Sequence, residues 1–307
     1  MRSGHRFRLA GVVLAVCLAL VVGPGMLVPA SADLLGVPST HELEVLKGQL
    51  DALAEQGKAG GAQFWYVDRD AMKLQLAVLT TALDPVTTAF LAVANARPEL
   101  VTVVRIDVPV EPFVGWSEAA VQPAAIRPAA GTLYGGMKIT ASNGGYCTSG
   151  FNAQNNSTGK VAILTAGHCT KAGISNWTVG GSALGNITDY NYPRADWSAI
   201  TPVAGWSTPN AVQTANGVQQ ISAWSAPKVG ESVCKAGATS GTTCGSVTAL
   251  NVTVNYSDGP IYGLAQTNVF AKEGDSGGSV YDSSTAVALI SGGPKGGGNA
   301  FVQPLNF

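Results

Sequence analysis

Charge is scarce in this 307-residue sequence: 12% of its residues are Asp, Glu, Lys or Arg, and 19 acids against 18 bases leave a net charge of −1. Such a chain has no basic stripe to neutralise phosphates, which argues against nucleic acid as a partner. Lys and Glu, the charged residues that favour helices, are few, whereas the 38 glycines suit short strands joined by tight turns. There are three histidines, and only His41 and His168 lie beyond the first 32 residues. No CxxC pair exists, and His168 is the lone imidazole of the second half, so neither a metal nor a cofactor is expected. No long apolar run comes after the one at residues 9–22, which is itself short of the roughly 20 residues a membrane span requires.

That run is preceded by Arg2, Arg6 and Arg8 and followed by the small residues Ala30, Ser31 and Ala32, the pattern of an export signal over residues 1–32. The expected product is secreted, extracellular and free of the membrane once the signal is removed. Cys17 would leave with it. Cys147, Cys169, Cys234 and Cys244 remain, an even number that argues for two disulfides in an exported protein, with three pairings open.

Residues 33–106 read as a small α+β unit. Ser39 and Glu42 form a capping box ahead of Leu43, Leu46, Leu50 and Leu53 at helical spacing, with Gly57 as the stop. Residues 64–79 alternate like a hairpin turning at Asp68, Arg69 and Asp70, with Leu74, Leu76 and Val78 on one face. Asp84 and Pro85 open a second helix to about residue 96, and residues 100–106 form one more strand. Residues 107–132, with Pro109, Pro112, Pro123 and Pro128, read as a loop-like linker or processing region. From residue 133 to 307 the chain holds many short β segments, at 161–164, 197–202, 246–256, 261–270 and 286–290, which predicts an all-β sandwich or barrel without a strong helix.

Three segments of this β region carry chemistry. Gly274-Asp275-Ser276-Gly277-Gly278 sets a hydroxyl between glycines, where N–H groups can converge on an oxyanion; a plain turn is the bland alternative. Thr165-Ala166-Gly167-His168-Cys169 comes directly after an apolar strand and supplies the imidazole available to activate Ser276. The carboxylate that must orient it is one of Asp189, Asp196, Glu231, Asp258, Glu273, Asp275 and Asp282. Asp196 is preferred because it precedes the alternation Trp197, Ala199, Ile200, although spacing alone fits an exposed loop carboxylate equally well.

The order of the three segments, His then Asp then Ser, resembles the chymotrypsin-like serine proteases. Gly245-Ser246-Val247-Thr248-Ala249-Leu250-Asn251, Thr267-Asn268-Val269, Ser291-Gly292-Gly293 and Gln303-Pro304 are similar to the bacterial branch that contains α-lytic protease and the streptogrisins, and residues 64–106 to its pro-segment. The resemblance implies two antiparallel six-stranded β-barrels preceded by a small α+β pro-domain. Ser276 would be the nucleophile, His168 the general base and acid, and Asp196 the orienting carboxylate. Gly274 and Ser276 would supply the oxyanion N–H groups. Ser291, Gly292 and Gly293 would form the substrate-binding strand, with Ser291 hydrogen-bonded near Asp196. The pairings implied are Cys147–Cys169 and Cys234–Cys244. Partners would be protein or peptide substrates and the chain's own pro-segment acting as a folding aid, with the enzyme a monomer.

Four features depart from the family pattern. Lys235 stands where an Arg usually pairs with Asp275, so a Lys235–Asp275 ion pair is expected, held by a point charge instead of a fork. Phe270 replaces a cysteine, and residues 294–298 offer no second, so the pocket walls should be less tightly tied. Lys272 and Glu273 form an unusual charged pair just before the oxyanion glycine, and relatives continue past the position of Phe307 into a C-terminal helix. No acid precedes Ser276 where it would attract Lys or Arg, and Asn299, Ala300, Phe301 and Val302 replace the pocket histidine of Glu-specific relatives. The expected activity is endopeptidase cleavage after large hydrophobic residues, with self-processing near Leu133–Tyr134. The competing readings are a non-catalytic secreted β-domain that binds a partner on a protease scaffold, and an esterase, which the missing GxSxG elbow disfavours.

Overall fold

The computed structural model describes residues 38–116, 131–156, 158–171 and 176–307. The export signal with Cys17, and the part of the linker that contains Pro123 and Pro128, lie outside the described residues.

The first described helix, Thr40–Glu55, begins as its capping box dictates: Ser39 Oγ accepts from the Glu42 N–H, and Glu42 Oε2 accepts from the Ser39 N–H at 2.9 Å. Leu43, Leu46 and Leu50 face inward onto the hairpin Ala62–Asp68 and Lys73–Leu79, whose Leu74, Leu76 and Val78 are fully buried. Asp84 caps the helix Pro85–Ala94 by accepting from the Thr87 N–H at 2.7 Å. Strand Val101–Ile106 then pairs parallel to Lys73–Leu79. Trp65 packs on Phe90 with ring centroids 5.2 Å apart. Each of these buried large side chains contributes on the order of 1.5–3 kcal/mol.

This unit is joined to the β region by its sheet. Trp65 and Phe64 pair with Thr253 and Val254, so the hairpin extends the sheet built from residues 232–304. In that sheet six strands close on themselves: Ser232–Gly237, Ser279–Asp282, Thr285–Pro294, Gly298–Pro304, Gly259–Ala271 and Gly241–Tyr256, which returns to pair with Ser232–Gly237. Val233, Val247, Val269, Val280, Ile290 and Val302 fill this barrel. Residues 138–202 form a second curled sheet around Ile139, Ile163, Leu184 and Ile200. Gly145–Thr148 and Asn152–Gln154 act there as two halves of one bent strand, making six, and the Gly150 N–H donates to the Leu164 carbonyl at 2.7 Å to close the curl. Pro38–Phe307 is one compact unit, and among the described residues no helix is long and apolar enough to cross a membrane.

The linker reading is corrected in part. Val110–Pro112 and Gly115–Trp116 are strands, one on each sheet: the first pairs with 292–294 and the second with 145–146. The prolines that argued for a loop are tolerated because an added edge strand does not need every N–H in its ladder.

Candidate active site

The groove between the two sheets collects the three chemical segments. Strand Val161–Thr165 runs into a single helical turn, Gly167–Thr170, which carries His168. Strand Trp197–Pro202 pairs antiparallel with it, Thr165 opposite Ser198, and this register places Asp196 under the imidazole. Ser276 comes from the other sheet, in the loop between Gly259–Ala271 and Ser279–Asp282. The disulfide Cys147–Cys169 anchors the turn next to His168, and Cys234–Cys244 ties two paired strands of the barrel of residues 232–304.

The three side chains are in hydrogen-bond reach. His168 Nδ1 lies 2.9 and 2.8 Å from the two Asp196 oxygens, and His168 Nε2 lies 2.7 Å from Ser276 Oγ. Asp196 also accepts from the His168 N–H at 2.9 Å and from Ser291 Oγ at 2.5 Å. Burial would raise the Asp196 carboxyl, but the His168 imidazole and these donors outweigh it and hold the carboxyl below its usual range. An ionised Asp196 accepts a hydrogen bond from the Nδ1–H, which leaves the Nε2 lone pair facing the serine hydroxyl. That hydroxyl has one competing acceptor, the Ser291 carbonyl, at the longer distance of 3.1 Å.

Gly274 has φ +95, and a Cβ there would sit 2.2 Å from Thr239 Oγ1 and 2.3 Å from the Tyr146 ring. Only glycine fits, and the resulting turn aims the Gly274 and Ser276 N–H groups at one point. Both donate to the same oxygen, the carbonyl of Phe113, at 2.6 and 3.4 Å. The Phe113 N–H donates to the Ser291 carbonyl at 3.2 Å, and Gly292 and Gly293 stand opposite Pro112 and Glu111. Segment 110–116 thus covers the groove, and Ser276 is buried beneath it.

Asp275 turns away from His168. Its Oδ2 lies 3.0 Å from Lys235 Nζ, and neither side chain is exposed. Burial would raise the Asp275 carboxyl, but the lysine charge and the donors of Ser240 and Thr239 keep it low. The two strands that lack the third disulfide are held by other means: Phe270 and Ala271 pair with Asn299 and Gly298, and Glu273 accepts from the Gly296 N–H at 2.7 Å.

Several contributors have roles that the sequence does not assign. Gln303 Oε1 accepts from the Asp196 N–H at 2.8 Å, and Tyr256 shares a hydrogen bond with Ser291 Oγ at 3.0 Å. Burial and the nearby Asp196 raise the Tyr256 hydroxyl, so it stays protonated. The Thr148 N–H donates to the Ser276 carbonyl and Thr148 Oγ1 to that of Gly274, bracing the serine loop from the other sheet. Their partners lie far away along the chain, so only the fold reveals these roles.

No protein-family model matches the chain. Streptogrisin-C of Streptomyces griseus is 32% identical over 282 residues, covering 90% of this chain and 56% of the relative. Streptogrisin-D of the same organism is 33% identical over 273 residues, covering 83% and 68%. The chain spans little more than half the length of streptogrisin-C and of streptogrisin-A. Among solved structures, one described as a glutamic acid specific serine protease that utilizes a novel histidine triad in substrate binding superposes with a TM-score of 0.53 at 36% identity, over 56% of this chain and 94% of that one. Sequence, topology and these likenesses agree, and the chain belongs to the chymotrypsin-like bacterial serine proteases, in the family of the streptogrisins and α-lytic protease.

Proposed function

We propose that the protein is a secreted serine endopeptidase that works through an acyl-enzyme and prefers large hydrophobic residues before the cut. The observation that carries the reading is the pairing of two geometries: a serine hydroxyl 2.7 Å from an imidazole, beside two N–H groups that already hold a peptide carbonyl oxygen. Ser276 Oγ would attack the substrate carbonyl while His168 takes its proton, and Asp196 would hold the imidazole in the required tautomer and stabilise its charged form. The Gly274 and Ser276 N–H groups would receive the developing oxyanion; removing one such donor costs about 10²–10³ in rate. His168 would then protonate the leaving amine, and water would release the acyl group by the same steps in reverse.

Specificity is read from what fills the pocket. Phe113 is buried in the same apolar cluster as Val269, Ala271, Ile290 and Ala300. The carboxylates nearest along the chain are engaged elsewhere, Asp275 with Lys235 and Glu273 with the Gly296 N–H. A glutamate pocket built on several histidines finds no support among the described residues, where His168 faces Ser276 and His41 is on the helix Thr40–Glu55. Export is supported by the basic start, apolar run and small residues of positions 1–32 together with two disulfides.

Residues 33–106 are read as a pro-segment that assists folding of 133–307. Its support is the continuous sheet and a buried polar junction, in which Lys47 Nζ donates to Asp51 Oδ2 and Thr253 Oγ1, both at 2.8 Å. Hydrolysis of short peptides carrying Phe, Glu or Arg before the leaving group tests the assignment. The Phe peptide should be cleaved fastest by the processed wild type and not by Ser276→Ala. Equal turnover by the two proteins would remove the enzyme reading, and preference for Glu or Arg would remove the pocket reading.

A further inference from the structure

We propose that the first bond this protein hydrolyses is its own Phe113–Val114, cut within the same molecule, and not a bond at the start of the β domain near Leu133. The proposal rests on the peptidase reading above and names that site's first substrate.

Segment 110–116 is bound as a substrate on both sides of one peptide bond. Ahead of the bond, Val110, Glu111 and Pro112 lie antiparallel to Pro294, Gly293 and Gly292, and the Phe113 N–H continues the ladder to Ser291. Beyond the bond, Gly115 and Trp116 pair with Tyr146 and Gly145 of the other sheet. The register is therefore pinned from both sheets, and a slip by one residue would turn every side chain to the opposite face. Pro112 falls between two ladder positions, where its missing N–H breaks no bond. Lys295 pairs with Glu111 at 3.4 Å, and the Lys295 N–H donates to the Pro109 carbonyl at 2.9 Å, which fixes the strand further upstream.

In this register one carbonyl meets the chemistry. The Phe113 oxygen receives the Gly274 and Ser276 N–H groups, and its ring is fully buried, so close to Gly293 that a Cβ there would come within 2.6 Å of Phe113 Cζ. Pro112 and Val114 line one crevice with His168 and Trp177, so the residues on both sides of Phe113 border the imidazole, and the Val114 N–H donates to the Pro112 carbonyl at 3.1 Å. Leu133 has none of this. It is buried in the core of the 138–202 sheet, its N–H donates to the Ser207 carbonyl at 2.8 Å, and its carbonyl accepts from Asn152 Nδ2 at 2.7 Å.

The step balances within the chain. Ser276 Oγ forms an ester bond to the Phe113 carbonyl carbon, the Phe113–Val114 C–N bond breaks, and the serine proton passes through His168 Nε2 to the Val114 nitrogen. Water then cleaves the ester, leaving a Phe113 carboxylate and restoring the Ser276 hydroxyl. The hydroxyl, the imidazole and the N–H groups that hold the Phe113 oxygen belong to the same chain as the bond, so the reaction is unimolecular. Its first product is a two-chain complex in which the pro-segment, still paired through Trp65 and Thr253, keeps its new C-terminus in the groove.

The full chain with a C-terminal tag should be followed by N-terminal sequencing and intact mass from the earliest time after refolding. The expected first new N-terminus is Val114, formed at a rate unchanged over a roughly thirtyfold range of protein concentration, and absent in Ser276→Ala. Phe113→Ala should slow it roughly tenfold or more. Phe113→Tyr, which keeps the ring, should process near the wild-type rate and serves as the folding control. A Ser276-dependent first cut elsewhere, with Val114 never appearing, overturns the proposal while leaving the peptidase reading intact. Cleavage that accelerates with concentration overturns the intramolecular step. Absence of both self-cleavage and peptide hydrolysis overturns the peptidase reading itself, and this proposal with it.

Discussion

Replacing Lys235 by methionine removes a charge from a place where its partner cannot reach water. Both side chains of the Lys235–Asp275 pair are unexposed, and Nζ lies 3.0 Å from Asp275 Oδ2. Taking away one member of a buried pair generally costs about 3–5 kcal/mol, because the other is left charged in a poor solvent. Here the carboxylate keeps the N–H groups of Thr239, Ser240 and Lys272 at 2.9, 3.0 and 3.1 Å, so the loss should fall at the lower end, about 3 kcal/mol. With a urea slope of about 1–3 kcal/mol per molar, that moves the midpoint down by about 1–3 M. The measurement is urea unfolding in a Ser276→Ala background, where self-digestion cannot interfere. Asp275 is held below its ordinary value of 3.8, so its charged form stabilises the fold fully above that pH, and the contribution is lost as pH falls through the folded-state value. The gap between wild type and Lys235→Met should therefore close in acid, and Asp275→Asn added to Lys235→Met should recover part of it at neutral pH. A loss below about 0.5 kcal/mol at neutral pH would refute the claim that Lys235 neutralises a buried charge on Asp275.

Asp196→Asn should lower kcat about 10⁴-fold at neutral pH with little change in KM, because the amide favours the wrong imidazole tautomer; steady-state kinetics on a Phe peptide checks this. Gly274→Ala forces a Cβ into Thr239 and Tyr146 at positive φ, so activity should fall at least about 10²-fold while both disulfides still form, as mass spectrometry of the unreduced protein would report. Ser291→Ala removes the hydroxyl that donates to Asp196, a charge-assisted bond of about 1.5–3 kcal/mol, and should reduce kcat about 10- to 100-fold. Asp196, like Asp275, is held low in the folded state, so stability should be retained above pH 3.8 and decline below it, which thermal unfolding across acidic pH would measure.

The elements legible in the sequence are those with local causes. The capping box at Ser39 and Glu42, the cap at Asp84 and the alternation from Trp197 to Pro202 each come from residues within a turn or two of one another, and each element appears where its pattern puts it. The strands at 246–256 and 261–270 run further than their apolar alternation, as Gly241–Tyr256 and Gly259–Ala271, because pairing with neighbours recruits the flanking residues. For Asp196, spacing alone does not separate a buried carboxylate from an exposed one; the distinction lies in Ser291, which donates to the carboxylate, and Gln303, which accepts from the Asp196 N–H, both about a hundred residues away. Segment 110–116 reads as a loop for a similar reason. Pro112, with Pro109 just before the segment, indicates that it is not helical, but the hydrogen bonds that make it a strand belong to 145–146 and 292–294. Leu133 suits the pocket by residue type, whereas Phe113 occupies it by register.

Covalent labelling with a fluorophosphonate probe, after segment 110–116 has been released from the groove, tests the central claim most directly. The account predicts one adduct per molecule, located on Ser276, abolished by Ser276→Ala and strongly slowed by His168→Ala. Labelling that is absent from wild type, or that persists unchanged in either variant, would contradict it.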